Sequence, residues 1–365
     1  MQLKRLVCPT LIGLALTTVI ARAHADDGTV SVSTAYYKEK STRVVQPMVD
    51  AAFDAGEHGL VVGHFLVDSI TSASVAAGGG NTAFTETRYQ AGGQYTHTFD
   101  KLHLGGGTRI SYEPDYFSVF ATLHGELDVA QKNATLNLTL AQGRDSISNA
   151  GLIGNMAPTL HQSLNTSLAS LSFSQILSPN LVGALSYDLT YLRGFQANLY
   201  RSVPAAGSLV AERVPNTRWR NAAAVSLRTF IAQTKTTVIA NYRFYIDDWG
   251  IRGHTPELRA IQEINSQFDV HLRYRYHHQS AADFFKAVYD TADNEMEPFL
   301  TADQKLTRQT SQLFSAKLEA ALGLLGVGGR LSDARVNAMF EYTTQTTSFG
   351  NAIAGQMTLT IPFEY

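Results

Sequence analysis

The side chains best suited to chemistry crowd one short stretch: His271, Arg273, Arg275, His277 and His278. Imidazoles can ligate a metal when they share a face. On a strand the side chains alternate between two faces, so His271 and His277 fall on the same side as Arg273 and Arg275, and His278 on the other. Two guanidinium groups on that side repel a cation, so the stretch reads as a polar network rather than a metal centre. By the same parity Arg243, Arg273, Arg275 and Arg335 share an inward face with Asp188, Asp269, Glu319 and Glu341. Charges turned inward must be paired or hydrated. They either line a water-filled pore or knit it shut, and in a pore the basic groups favour anionic solutes. The segment from Asp290 to Glu297 is acidic but lacks the turn glycine and regular Asp/Asn spacing of an EF-hand loop. It reads as a solvated loop, with weak divalent binding as the alternative. No Gly-x-Ser-x-Gly elbow and no His-Glu-x-x-His zinc motif occurs. No catalytic residue or metal ligand is assigned, and a non-enzymatic protein is expected.

Strict alternation sets these faces. Leu136, Leu138 and Leu140 alternate with Asn137 and Thr139, and Phe268, Val270, Leu272 and Tyr274 with Asp269, His271 and Arg273. Similar runs start at Leu185, Val238, Phe314 and Val336, and no stretch keeps a helical period. The chain ends on Met357-Thr358-Leu359-Thr360-Ile361-Pro362-Phe363-Glu364-Tyr365, an alternating strand closed by an aromatic. This resembles the closing strand of bacterial outer-membrane barrels, in which Phe363 and Tyr365 would serve as the signal read by the barrel-assembly machinery. Short and long connections alternate along the chain, as turns and loops do in such barrels. The expected fold is all-β, a transmembrane antiparallel β-barrel of about sixteen strands, with fourteen and eighteen as neighbouring even counts. Long breaks are expected at 68–83, 145–162, 194–217 and 280–306. The region 322–334 is expected to be a turn, although it is long for one. Tyr36, Tyr37, Tyr112, Tyr116, Phe117, Tyr245 and Trp249 fall near strand ends, where aromatics form an interfacial girdle.

Residues 1–25 read as a secretory signal peptide: Lys4 and Arg5, an apolar stretch from Leu6 to Ile20, and Ala23-His24-Ala25 before the cut. The barrel domain then covers 26–365, and the expected location is the bacterial outer membrane, in contact with its lipid. The single cysteine, Cys8, leaves with the signal, so the exported chain uses no disulfide or thiolate chemistry. Loss of Lys4, Arg5 and Arg22 takes the 29 basic residues to 26 against 31 acidic ones. That balance gives nucleic acid no electrostatic footprint.

Several stretches resemble an uncharacterised bacterial family, catalogued as domain-of-unknown-function family 3570. They are Ala35 to Glu39, Asp68 to Ser74, Ser111 to Tyr116 and Gln279 to Phe285. The resemblance spans nearly the whole exported chain. It implies an outer-membrane barrel, with a periplasmic flavin transferase and thioredoxin-like proteins as associated partners. Within it, Asp68-x-x-Thr71-Ser72-Ala73-Ser74 is similar to the acceptor motif of proteins that carry covalent flavin mononucleotide (FMN). There the last hydroxyl, Ser74 here, takes the phosphate as a phosphoester. Ser72 stands where that motif has glycine and Ser74 where it usually has threonine, and the strand count puts the loop on the side away from the transferase. The alternative is a Ser/Gly-rich loop tip.

The sequence therefore points first to a channel or scaffold without a cofactor. A flavin-linked electron-transfer component with FMN at Ser74 is the second reading, and an outer-membrane hydrolase the third. Replacing or deleting Tyr365 should lower the amount of folded protein in the membrane fraction, scored by heat-modifiable gel mobility; an unchanged level would count against the barrel.

Overall fold

The computed structural model describes residues 27–73, 83–149, 159–199 and 201–364; the signal segment, Ser74 and Tyr365 lie outside the described residues. The first half of the chain forms β1 (Asp27–Lys38), β2 (Thr42–Ala55), β3 (Gly59–Ala73), β4 (Ala83–Phe99), β5 (Leu102–Glu113), β6 (Tyr116–Val129), β7 (Ala134–Ser148), β8 (His161–Ser178) and β9 (Leu181–Gly194). A hairpin follows, β10 (Ser202–Ala205) and β11 (Ser208–Ala211). The second half forms β12 (Thr217–Ile231), β13 (Thr236–Asp247), β14 (Arg252–Asn265), β15 (Phe268–Gln279), β16 (Gln309–Ala321), β17 (Arg335–Gln345) and β18 (Ala352–Glu364). Sixteen of these close into one barrel in chain order, and β10 and β11 form a separate two-stranded sheet.

Closure joins the two ends of the chain. β1 lies antiparallel to β18 in unbroken register from Asp27↔Glu364 to Lys38↔Ile353. Inward hydroxyls tie the seam side to side: Ser33 Oγ donates to Thr358 Oγ1 at 2.9 Å, and Ser31 and Thr360 meet at the same distance. On the outer face the Phe363 ring lies across Gly28, where a Cβ would run into it, so only glycine fits opposite that ring.

The alternation read from the sequence becomes two surfaces. Leu136, Leu138 and Leu140 stand on the outside with Leu123, Leu185, Phe314 and Phe340, all well exposed. A soluble protein would bury such a belt; a barrel turns it to lipid. Most inward positions carry hydroxyls, amides and charges, with Leu66, Ile70 and Leu313 among the apolar exceptions.

One end of the barrel has tight turns, such as Asp100-Lys101, where Asp100 takes a positive φ of 52°. The expected turn at 322–334 is two short 3₁₀ segments, Leu322–Leu325 and Gly329–Leu331. It stays compact because the Leu322 and Gly323 amides donate to the Ala334 and Ser332 carbonyls, which prolongs the β16–β17 ladder. The other end bears the longer loops. Two boundaries differ from expectation there. β3 runs on to Ala73, paired through Ala73↔Ala83, so Asp68 and Thr71 belong to a strand. The stretch 194–217 holds the β10–β11 hairpin, turned at Ala206-Gly207 with φ of 50° and 74°.

Outward and inward positions should tolerate charge very differently. Leu138→Arg, placed near mid-height on the lipid side, should cost about 2–4 kcal/mol of folding stability. Thr139→Arg, on the lumen side, should cost far less; urea titration in lipid vesicles reads both.

Candidate functional site

The barrel interior has two unlike walls. From β14 to β17 it is a ladder of ion pairs. Glu257 accepts from Arg259 Nε at 2.6 Å and from Arg273 Nε and Nη2 at 2.9 and 2.7 Å. Arg273 reaches on to Glu341 at 3.4 Å. Nearer the tight-turn end, Glu319 accepts from Lys317 at 2.8 Å and Arg335 at 3.1 Å, and Arg335 lies 3.7 Å from Asp269. Arg243 lies over the Tyr245 ring at 5.7 Å and has no carboxylate partner among the described residues. Arg275 sits in register with Glu257. Asp188, farther round, accepts from Ser170 at 2.7 Å. His271 and His277 are inward, and His277 meets Thr255 and Gln279 at 2.9 and 3.3 Å; His278 faces out and meets Thr310. These paired charges are half-buried, so each rung adds a modest hold on its neighbours.

The facing wall, eight strands away around the barrel, sets glycines beside flattened rings, and Arg109 also projects inward there, over the Phe120 ring at 5.8 Å. A Cβ at Gly143 would strike the Phe120 ring, and one at Gly105 the His124 ring. The glycines let both rings lie against the wall instead of projecting across the lumen. His124 is held there by Thr96 Oγ1 at 2.9 Å. The charged ladder thus faces a wall that is low at Gly105 and Gly143 and carries the long charge of Arg109.

At the long-loop end the loops turn inward. Phe195 and Leu199 pack on Ile147, Leu164 and Leu192, which by parity point into the lumen. Trp249, Ile251, Ala282 and Leu306 form a second apolar cluster, joined by Tyr245, Phe284 and Phe285. A third joins the hairpin to the 280–308 loop through Val203, Ala205, Tyr289 and Leu300. Isolated bridges Ala205↔Tyr289 and Arg213↔Leu300 stitch the two loops together. The acidic stretch is anchored too, since Arg213 Nη2 donates to the carbonyls of Ala292 and Glu297 at 3.2 and 2.8 Å. The result is a small folded cap over part of the mouth.

The cap has a charged centre. Arg201 Nη1 lies 2.9 Å from both Glu212 and Asp303. Glu212 also accepts from Thr301 Oγ1 and the Asn198 amide, both at 2.6 Å. One guanidinium serves two carboxylates. Burial therefore lifts the Glu212 carboxyl above its ordinary value, with Arg201 working against the rise. Several aromatics expected in the girdle serve the mouth instead. Tyr37, Tyr116 and Tyr245 donate to Glu39, Asp145 and Asp247. Trp249 is buried under Arg218, whose guanidinium lies 4.0 Å from its ring and pairs with Asp247. Tyr36, Tyr112 and Phe117 do face outward.

The flavin-like stretch is split by strand geometry. Asp68 points inward and pairs with Arg88, whereas Thr71 is on the opposite face of β3. Beside Arg88, Glu86, Glu113 and Asp115 bring carboxylate oxygens within 4.8 Å of one another, a set able to hold a divalent cation. Their spacing in sequence carried no signal, because strand register alone joins them.

Replacing Arg201 with glutamine should loosen the cap by about 3–5 kcal/mol, since the buried Glu212 and the half-buried Asp303 lose their shared cation. The folded value of Glu212 is raised, so its contribution to stability is complete below the ordinary carboxylate range and is lost as pH rises through the folded value. Hydrogen exchange over 203–212, corrected for intrinsic rate, should thus show stronger protection at pH 5 than at pH 8.

Solved structures with similar folds are barrels of unrelated sequence. A bacterial polysaccharide outer membrane secretin aligns with a TM-score of 0.52 at 8% identity, covering 94% of this chain and all of that one (100%). Pseudomonas aeruginosa OccK2 (OpdF) gives 0.44 at 11%, covering 93% and 97%. A BenF-like porin from Pseudomonas fluorescens Pf-5 gives 0.46 at 10%, covering 93% and 99%. Likeness at such identities concerns the fold alone. A comparison with curated proteins found no match. The family described as "Protein of unknown function (DUF3570)" matches residues 80–360, from just before β4 through most of the closing strand, and the chain belongs to that family.

Proposed function

We propose that this protein is an outer-membrane channel for small hydrophilic solutes, with its long-loop end outside the cell and its mouth narrowed by the folded cap. The secretin whose barrel it resembles is an outer-membrane protein. The observation that carries the reading is the contrast between the two lumen walls. A barrel that serves only as a scaffold gains nothing from glycines that flatten Phe120 and His124 opposite a charged ladder. A conduit gains room at those positions and a lateral field. Sixteen strands give a diameter at which an aqueous channel is common.

Solute selection follows from the ladder. Glu257 is shared by Arg259 and Arg273, and Arg243 keeps a positive charge with no acid beside it. A passing anion can exchange water for these guanidinium groups, while the fixed acids stop it from binding too tightly. No bond is made or broken, and the role is non-enzymatic. Assembly would rest on the lipid-facing β18 and its aromatic end, read by the barrel-assembly machinery.

Refolded protein in a planar bilayer should give discrete conductance steps with a reversal potential on the anion side in a KCl gradient. The double change Arg243→Glu and Arg275→Glu should move that potential toward cations. A folded, heat-modifiable sample without conductance steps would refute the channel.

A further inference from the structure

The outer surface is not uniform. On β7, β8 and β9 the outward residues Arg144, Asn165 and Arg193 lie in one cross-strand row, through the pairs Arg144↔Asn165 and Asn165↔Arg193. The two arginines are two strands apart, about 10 Å. Both are exposed, and among the described residues neither has an ion-pair or hydrogen-bond partner. The carboxylate at a neighbouring turn, Asp248, is occupied by the Trp219 amide at 3.0 Å.

Two residues along each strand toward the membrane centre, a step of about 7 Å, the next outward row holds Gln142, Ser167, Tyr191 and Trp219. Tyr191 and Trp219 stack with centroids 4.3 Å apart, an interfacial pair that marks headgroup depth. Ser167 donates to Gln142 at 2.7 Å. Below lies a groove of about 500 Å³ in the lipid-facing wall. Ala121 and Ala169 keep its floor low, and Leu123, Leu140 and Leu189 raise its sides. The order from mid-membrane outward is therefore an apolar groove, an aromatic pair, and two unpaired guanidinium groups. An acylated molecule with an anionic head has that order.

We infer that this face is a binding site for the phosphorylated, acylated saccharide lipid of the outer leaflet, the lipid A part of lipopolysaccharide. A phosphate would accept from Arg144 and Arg193, and one acyl chain would occupy the groove beneath Tyr191. Guanidinium groups suit phosphate because they donate in a planar fork. The commitment to lipid A rests on the orientation proposed above, which turns this row to the outer leaflet.

The test uses the folded full-length barrel in detergent, incubated with bis-phosphorylated lipid A and examined by native mass spectrometry. Lipid A should be retained, and the double variant Arg144→Gln, Arg193→Gln should bind at least about tenfold more weakly while keeping its heat-modifiable fold and its conductance. Arg252→Gln, an outward arginine on β14, should bind as the unchanged protein does. Equal retention by the double variant, equal retention of dephosphorylated lipid A, or preference for phosphatidylglycerol would each overturn the site. A barrel that conducts but shows no lipid preference would sink this inference and leave the channel standing. A barrel that holds lipid A but never conducts would do the reverse.

Discussion

Hydrocarbon offers no hydrogen bonds, and that single fact governs this molecule. Every amide and carbonyl that enters the membrane must find its partner in the next strand, and the first strand must find the last. The unbroken β1–β18 ladder meets that demand, and no edge is left open between the strands. With the backbone fully used, side chains are free to serve two solvents. Odd and even positions diverge over most of each strand, and the same strand that shows Leu138 to lipid shows Thr139 to the lumen.

The division of labour inside the lumen follows from what closure leaves over. Most charges placed inward find local partners and organise into chains of pairs, with Arg243 an exception. Glu257 is the hub of one chain and Glu319 of another. The cap repeats the arrangement at smaller scale, with Arg201 between Glu212 and Asp303. It also has a dry core of its own around Val203 and Leu300. The cap is thus a folded unit resting on the rim, held by apolar burial as well as charge.

Much of this was legible in the sequence, for a clear reason. Period two is a local property, so runs such as Leu136 to Leu140 declare both the strand and its faces. The parity of Asp269, Arg273 and Arg275 could be read without knowing any neighbour. What escaped is whatever depends on register or on distant loops. Glu257 was passed over as a hub because its partners come from the next strand and from its own. The β10–β11 hairpin is four residues a side, too short for an alternation signal, and its core is completed by Tyr289 and Leu300 far along the chain. Tyr245 and Trp249 looked like girdle aromatics by position, yet buried Asp247 and Arg218 draw them inward.

The seam between β1 and β18 also has a meaning in time. Ser31 and Thr360, which touch across it, are 329 residues apart in the chain. Synthesis and export deliver the first strand long before its partner exists. Until β18 arrives, one side of β1 is a row of unsatisfied donors and acceptors, the kind of edge that recruits any passing strand into an aggregate. The sheet can grow hairpin by hairpin from local contacts, but its last step joins the two most distant parts of the chain and cannot begin early. A protein of this topology therefore spends its youth with an exposed template that something else in the cell envelope must shield, and its final segment acts as the clasp that ends that need.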